Sequence, residues 1–131
     1  MEKILNIDGR DIKFKSTGAF LLRYKMQFRR DALIDIYKMQ NAVETVEEVV
    51  VNDTGEGSIV EKYVLKDVDA FDLEVFYNLV WTLAKTADAS IKPPMEWLDG
   101  FEEFPMYEII GELYEMIYET LESTVQSKKK R

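Results

Sequence analysis

The sequence predicts a mainly α-helical small domain carrying an N-terminal β-hairpin. Apolar residues recur at Leu73, Phe76, Tyr77, Val80, Ala84 and Ala87, and again at Met106, Ile109, Ile110, Leu113, Ile117 and Leu121, the spacing of one helix face. Asp8-Gly9-Arg10 stands between Ile4 to Ile7 and Asp11 to Lys15, and a D-G pair between such arms is a strong hairpin signal. At 131 residues the chain is one domain's worth, and a chain of that size buries about two-thirds of its extended surface, enough for a core. The expected organisation is a single helical domain over 1–127, with the hairpin at 1–15, a variable or flexible segment at 41–66, and a basic tail at 128–131.

In the hairpin's second arm Ile12 and Phe14 alternate with Lys13 and Lys15, so one face is expected to be buried. Two strands alone are marginal and must lie against helices or extend a neighbour's sheet. Ser16 or Thr17 can cap the next segment, where Phe20, Leu21, Tyr24 and Phe28 make a helical stripe. Arg23, Gln27 and Arg30 fall on a different face, with Lys25 and Arg29 nearby. That face is either the solvated side of a core-packed helix or a basic docking surface. Asp31 can cap a second helix holding Leu33, Ile34, Ile36 and Tyr37, which implies two helices at an angle or one kinked helix.

From Asn41 to Asp67 the pattern is ambiguous. Val43, Val46, Val49 and Val50, with Glu44, Glu47 and Glu48, can prolong a helix, yet the β-branched run Val49-Val50-Val51 can equally begin a strand. Asn52 to Ser58 is a loop on any reading. Ile59 to Leu65 is then a returning strand, a helix turn or a mobile arm.

Asp67, Asp69 and Asp72 open the central helix, where acidic residues favour the positive end of the helix dipole. Calcium is the competing idea for these carboxylates, but no glycine follows the triplet and no glutamate closes an EF-hand loop, so capping is the expectation and no metal is assigned. Pro93 and Pro94 break the helix, Met95 to Leu98 suits a short helix ended by Gly100 in a left-handed C′ position, and Pro105 fits the first turn of the last helix. Phe71, Val75, Leu79 and Trp81 lie off the main stripe, so the central helix is apolar nearly all round and should be surrounded. Tyr107, Tyr114 and Tyr118 give the last helix a second stripe, which is expected to lie between layers or to meet a partner.

Composition narrows the chemistry. The chain has no cysteine and no histidine, which excludes disulfides, thiol nucleophiles, zinc-thiolate sites and most common catalysis near neutral pH. Glu102 and Glu103, or Glu108, Glu112, Glu115 and Glu119, read as exposed helical faces rather than acid-base pairs. No stretch resembles a signal peptide, and the longest charge-free apolar stretch of the central helix, Val75 to Ala84, is too short to cross a bilayer. The net charge of −8 is unevenly spread: residues 1–40 hold nine Lys/Arg against five Asp/Glu, residues 41–127 hold four against twenty, and 128–131 are all basic. A basic head and an acidic body can attract one another within a monomer or between neighbours, whereas the acidic body repels nucleic acid.

The run Phe76-Tyr77-Asn78-Leu79-Val80-Trp81-Thr82-Leu83-Ala84-Lys85-Thr86-Ala87-Asp88, then Ser90-Ile91 and Trp97-Leu98-Asp99-Gly100-Phe101, resembles the tail assembly chaperones of long-tailed bacteriophages infecting Gram-positive bacteria. The hairpin followed by Arg23-Tyr24 and Phe28-Arg29-Arg30-Asp31, leading into Leu33 and Ile34, is similar to that family as well. Residues 41–66 look like an insertion relative to shorter members. The resemblance implies a mainly helical, non-enzymatic protein of the host cytoplasm, absent from the finished virion, that coats the tape measure protein and helps bring tail tube subunits to it. In many such proteins a programmed frameshift extends part of the product, and the Lys128-Lys129-Lys130 run is compatible with a slippery adenine tract. No cofactor, nucleic acid or membrane is expected as a partner, and a homo-oligomer is possible. The residues expected at a client interface are Arg23, Arg29 and Arg30 for polar contact and Tyr107, Tyr114 and Tyr118 for apolar contact. The alternative reading is a small acidic regulatory protein that mimics phosphate and occupies a nucleic-acid-binding surface of a host protein.

Overall fold

Residues 2–15 fold as the hairpin that Asp8-Gly9 signals. Strands β1 (Glu2–Ile7) and β2 (Arg10–Lys15) pair antiparallel with Leu5 opposite Ile12 and Ile7 opposite Arg10. Asp8 and Gly9 both take positive φ, 53° and 78°, which a two-residue turn of the primed type requires. This computed structural model describes the backbone of residues 1–129 and side chains through Ser123. The basic tail expected at 128–131 lies outside the residues whose side chains are described.

Among the described residues, five α-helices follow the hairpin, interrupted by a second pair of strands. Helix α1 (Phe20–Phe28) ends where Arg29 turns left-handed at φ 60°, and α2 (Ala32–Met39) starts after an extended Asp31. The alternative of one kinked helix is thereby resolved as two helices. Thr17 accepts from the Ala19 amide at 3.2 Å, just ahead of α1, whereas Asp31 holds the N-cap position of α2 without a side-chain capping bond. Helix α3 (Leu73–Ala87) is capped as expected, Asp72 Oδ1 accepting from the Val75 amide at 3.1 Å. Helix α4 (Pro94–Asp99) carries Trp97, and α5 (Met106–Lys129) follows Pro105, whose carbonyl accepts from the Ile109 amide.

The fold class is α+β, which corrects the mainly α expectation. Helix makes up 48% and strand 24%, and that strand share comes from two separate two-stranded sheets rather than one hairpin. The difference lies in residues 41–66, expected as a variable or flexible segment. After a 3-10 turn (Gln40–Ala42), β3 (Val43–Val51) pairs antiparallel with β4 (Gly57–Leu65), Val43 opposite Leu65 and Val49 opposite Ile59. Stiff β-branched side chains outweigh the weak helical period here. The Asn52 carboxamide fixes the turn, its Oδ1 accepting from the Thr54 and Glu56 amides, with Gly55 at φ 85°.

The core is continuous across both hairpins and the helices. Ile7 and Phe14 from the first hairpin meet Phe76, Leu79, Val80 and Leu83 of α3, Phe20 and Tyr24 of α1, Ile36 of α2, and Ile109, Leu113 and Ile117 of α5. Strand β2 and helix α1 both pack on α3, while β4 and α2 pack on α5. The central helix is enclosed as its all-round apolar pattern predicts, with eight residues buried from Val75 to Ala84. Gly100 departs from expectation, since it keeps a right-handed φ of −72° instead of the left-handed C′ conformation. A Cβ there would stand 3.2 Å from the Trp97 carbonyl oxygen, so the position favours glycine for space.

Candidate functional site

The two short helices α1 and α2 are locked by one buried carboxylate. The buried stripe of α2 is Ala32, Asp35, Ile36 and Met39, while Ile34 and Tyr37 face outward, so the helix is rotated from the face that Leu33, Ile34, Ile36 and Tyr37 suggested. Asp35 tolerates that position because Tyr24 Oη donates to Oδ2 at 2.9 Å and Arg30 donates through Nε at 2.9 Å and Nη2 at 2.7 Å. Burial pushes the Asp35 carboxyl up, but the Arg30 and Tyr24 hydrogen bonds and the Arg30 charge outweigh it and hold the group below its ordinary range. Burial and the neighbouring carboxylate both push the Tyr24 phenol up. Arg30 is thus committed to a structural pair.

The other two arginines of the segment go elsewhere. Arg29 occupies the left-handed end of α1, exposed. Arg23 lines a cavity of about 430 Å³ with Ala19, Leu22, Met26 and Gln27 of α1 and Trp81 and Lys85 of α3. Leu22 and Met26 are 63% and 70% exposed, so the outer side of α1 is apolar as well as basic. Trp81 forms the floor, held by an indole N–H bond to the Lys92 carbonyl at 2.9 Å and by the edge of Phe28. Lys85 Nζ donates to the Ala89 and Ile91 carbonyls. The Arg23 Nε–H is buried and has no hydrogen-bond partner among the described residues.

The tyrosines of α5 also separate. Tyr114 is fully buried, its ring 5.1 Å from that of Tyr63 on β4, and Tyr118 is half-buried beside both. The second hairpin therefore covers the stripe expected to face a partner. Burial first, then the neighbouring phenols, pushes Tyr114 up to about 12, and its hydroxyl has no partner among the described residues. Tyr107 remains 71% exposed. It lines a cleft of about 610 Å³ between β1 and β4, where Lys3 bridges to the Glu112 carboxylate at 2.9 Å and Gly111 forms part of the lining.

A third concavity, of about 620 Å³, lies between α3 and α4. Leu73, Tyr77, Met95, Leu98 and Phe104 line it, and Glu74 and Glu102 add carboxylates. Leu73 and Met95 are 48% and 72% exposed. Sequence periodicity marked Leu73 and Tyr77 as core, because they lie on the stripe that continues into Val80 and Ala84. The signal missed was the position of Leu73 at the first turn, ahead of the helix's enclosed stretch.

Of the three acids ahead of α3, Asp67 serves the turn, its Oδ1 accepting from the Asp69 and Ala70 amides, and Asp72 caps the helix. Among the described residues, no group of three His, Cys, Asp or Glu is placed to hold a metal ion, and no helix is long and apolar enough to cross a membrane. Compared with protein-family models, curated proteins and solved structures, the chain matches none.

Proposed function

We propose that this protein is a non-enzymatic tail assembly chaperone that holds a tape measure protein in the host cytoplasm and helps bring tail tube subunits to it. The observation that carries the reading is the apolar concavity between α3 and α4, where Leu73 and Met95 lie open beside the half-buried Tyr77, Leu98 and Phe104. Such a surface suits the apolar face of an amphipathic helix, and Glu74 and Glu102 suit basic residues flanking that face. A long helical client offers this pattern repeatedly. The residues that resemble the chaperone family, Phe76 to Asp88 and Trp97 to Phe101, build the two helices that flank the concavity.

Co-expression with a candidate tape measure protein, a very long helical chain, tests the reading. The expected result is a soluble complex that Leu73→Asp and Met95→Asp weaken while leaving the circular dichroism of the free chain unchanged. Failure of the wild-type chain to co-purify with that client at low salt overturns it. The acid-rich hairpin favours one second reading, a phosphate mimic that blocks a host nucleic-acid-binding protein, because Glu44, Glu47, Glu48, Asp53, Glu56 and Glu61 outnumber a single Lys62. A salt-sensitive complex with such a host protein, and none with a tail protein, selects that reading.

A further inference from the structure

Beyond its base, the β3–β4 hairpin is an arm with little of its own to hold it. All residues from Glu47 through Lys62 are exposed, and at about 3.3 Å per residue the strand Val46–Val51 reaches about 20 Å along its axis. An isolated two-stranded hairpin is marginal in water, and open strand edges invite pairing. Its outer half nevertheless carries Val49 at 67%, Val51 at 63% and Ile59 at 67% exposure. Those three share one face with Glu47 and Glu61, which stand directly opposite each other across the strands. Like charges in that position are destabilising, and among the described residues neither carboxylate has an ion pair; Lys62 is taken by Glu48 at 2.7 Å on the other face. The face thus offers two uncompensated carboxylates next to a β-branched apolar tip.

The outer side of α1 offers the complement. Its exposed Leu22 and Met26 flank a cavity that also contains Arg23 and Lys85, and methionine adapts readily to an incoming shape. Arg23 is half-buried there and has no ion pair among the described residues, and a carboxylate is the strongest acceptor for a guanidinium. Charge supports the match on a larger scale. Residues 43–65 hold six acidic side chains against one lysine, whereas residues 16–30 hold four basic side chains, of which Arg30 is taken by Asp35, and no acidic one.

We propose that the β3–β4 arm of one copy docks on the α1 groove of a second copy, with Glu47 or Glu61 meeting Arg23 and the valine tip covering Leu22 and Met26. Arm and groove are different surfaces, so the contact is heterologous and each copy retains one free arm and one free groove. This inference does not depend on the identity of any client.

The test uses the purified full chain and two variants, an arm variant Val49→Asp/Ile59→Asp and a groove variant Leu22→Glu/Met26→Glu. All four positions are exposed, so circular dichroism and thermal unfolding are expected to match wild type. Sedimentation velocity on wild type is expected to show association that grows with concentration up to on the order of 100 μM, and that weakens between about 0.05 and about 0.5 M salt. Each variant alone is expected to associate at least about tenfold more weakly. Mixed together, they retain one good arm and one good groove and are expected to form a closed 1:1 dimer, which a symmetric contact between identical patches does not give. A wild-type chain that stays monomeric, variants that associate as wild type does, or a mixture that yields no heterodimer overturns the proposal. Because only this chain is present, none of these outcomes bears on the tape measure reading.

Discussion

Tyr24 and Asp35 meet inside the core, the phenol donating to the carboxylate at 2.9 Å while Arg30 closes the same carboxylate from the surface. That contact fixes the angle between α1 and α2, and it ties folding to pH. Asp35 is held below its ordinary 3.8. A carboxyl depressed on folding contributes stability above its ordinary value, and loses it as pH falls through the folded value.

Asp35→Asn is therefore expected to lower stability at pH 7 by about 1–3 kcal/mol, since it removes the charge from two hydrogen-bonded partners. The deficit should narrow as pH drops below about 3.8, where wild type loses the same contribution. Urea unfolding at pH 7 and pH 3 measures both ends. An equal deficit at the two values argues against an ionised Asp35.

Tyr114→Phe is expected to be neutral or stabilising by up to about 1 kcal/mol, because the hydroxyl it deletes is buried without a partner among the described residues. The Tyr114 phenol, raised from 10.0 to about 12, contributes stability below pH 10 that is lost as pH rises toward 12. The variant should therefore resist unfolding at pH 11 better than wild type does. Thermal melts at pH 8 and pH 11 decide this, and a lower melting temperature at pH 8 would contradict the buried, unpaired hydroxyl.

Gly111 lets β4 approach α5 closely, since a Cβ there would sit 3.3 Å from the Tyr63 carbonyl oxygen. Gly111→Val adds an isopropyl group at that approach and is expected to cost about 1–3 kcal/mol by overpacking. Hydrogen exchange should locate the damage in β4, with β1 and β2 keeping their protection.

Arg10 ties the first turn to the far end of α4. Its Nη2 donates to the Gly100 carbonyl at 2.8 Å and its guanidinium lies 4.3 Å over the Phe101 ring, while Asp8 accepts from the Glu102 amide. Arg10→Ala is expected to cost about 1 kcal/mol, and Arg10→Lys to recover only part of it, because a lysine lacks the planar stack. Equal stability of wild type and Arg10→Ala in chemical denaturation would show the contact to be inert.

Local signals in the sequence were good guides at several positions where one residue decides the geometry, although Gly100 is right-handed and Asp31 makes no side-chain capping bond. Asp8-Gly9 set the first turn, Asp72 the start of α3, and Pro93-Pro94 its separation from α4. Long-range compensation was not legible. An acid at position 35 reads as a surface residue until Tyr24 and Arg30 are seen to satisfy it, so the buried face of α2 was misplaced. The tyrosine stripe of α5 was visible as a second apolar face, but its cover, Tyr63, lay in the one segment whose helical and strand patterns compete. Of the six expected interface residues, Arg29 and Tyr107 are exposed, Arg23 and Tyr118 are half-buried, Arg30 is exposed but paired with Asp35, and Tyr114 is buried in the fold.

Trp81 gives the molecule a built-in optical gauge. Its indole is 3% exposed, fixed by Lys92 and Phe28, yet it forms the floor of the α1 groove, whereas Trp97 packs edge-to-face against Phe101 and Phe104 at the other end of the helical layer. With Trp97 replaced by phenylalanine, the remaining tryptophan emission comes from the groove alone. Its wavelength and intensity then report on whatever settles over Leu22 and Met26, without any label attached.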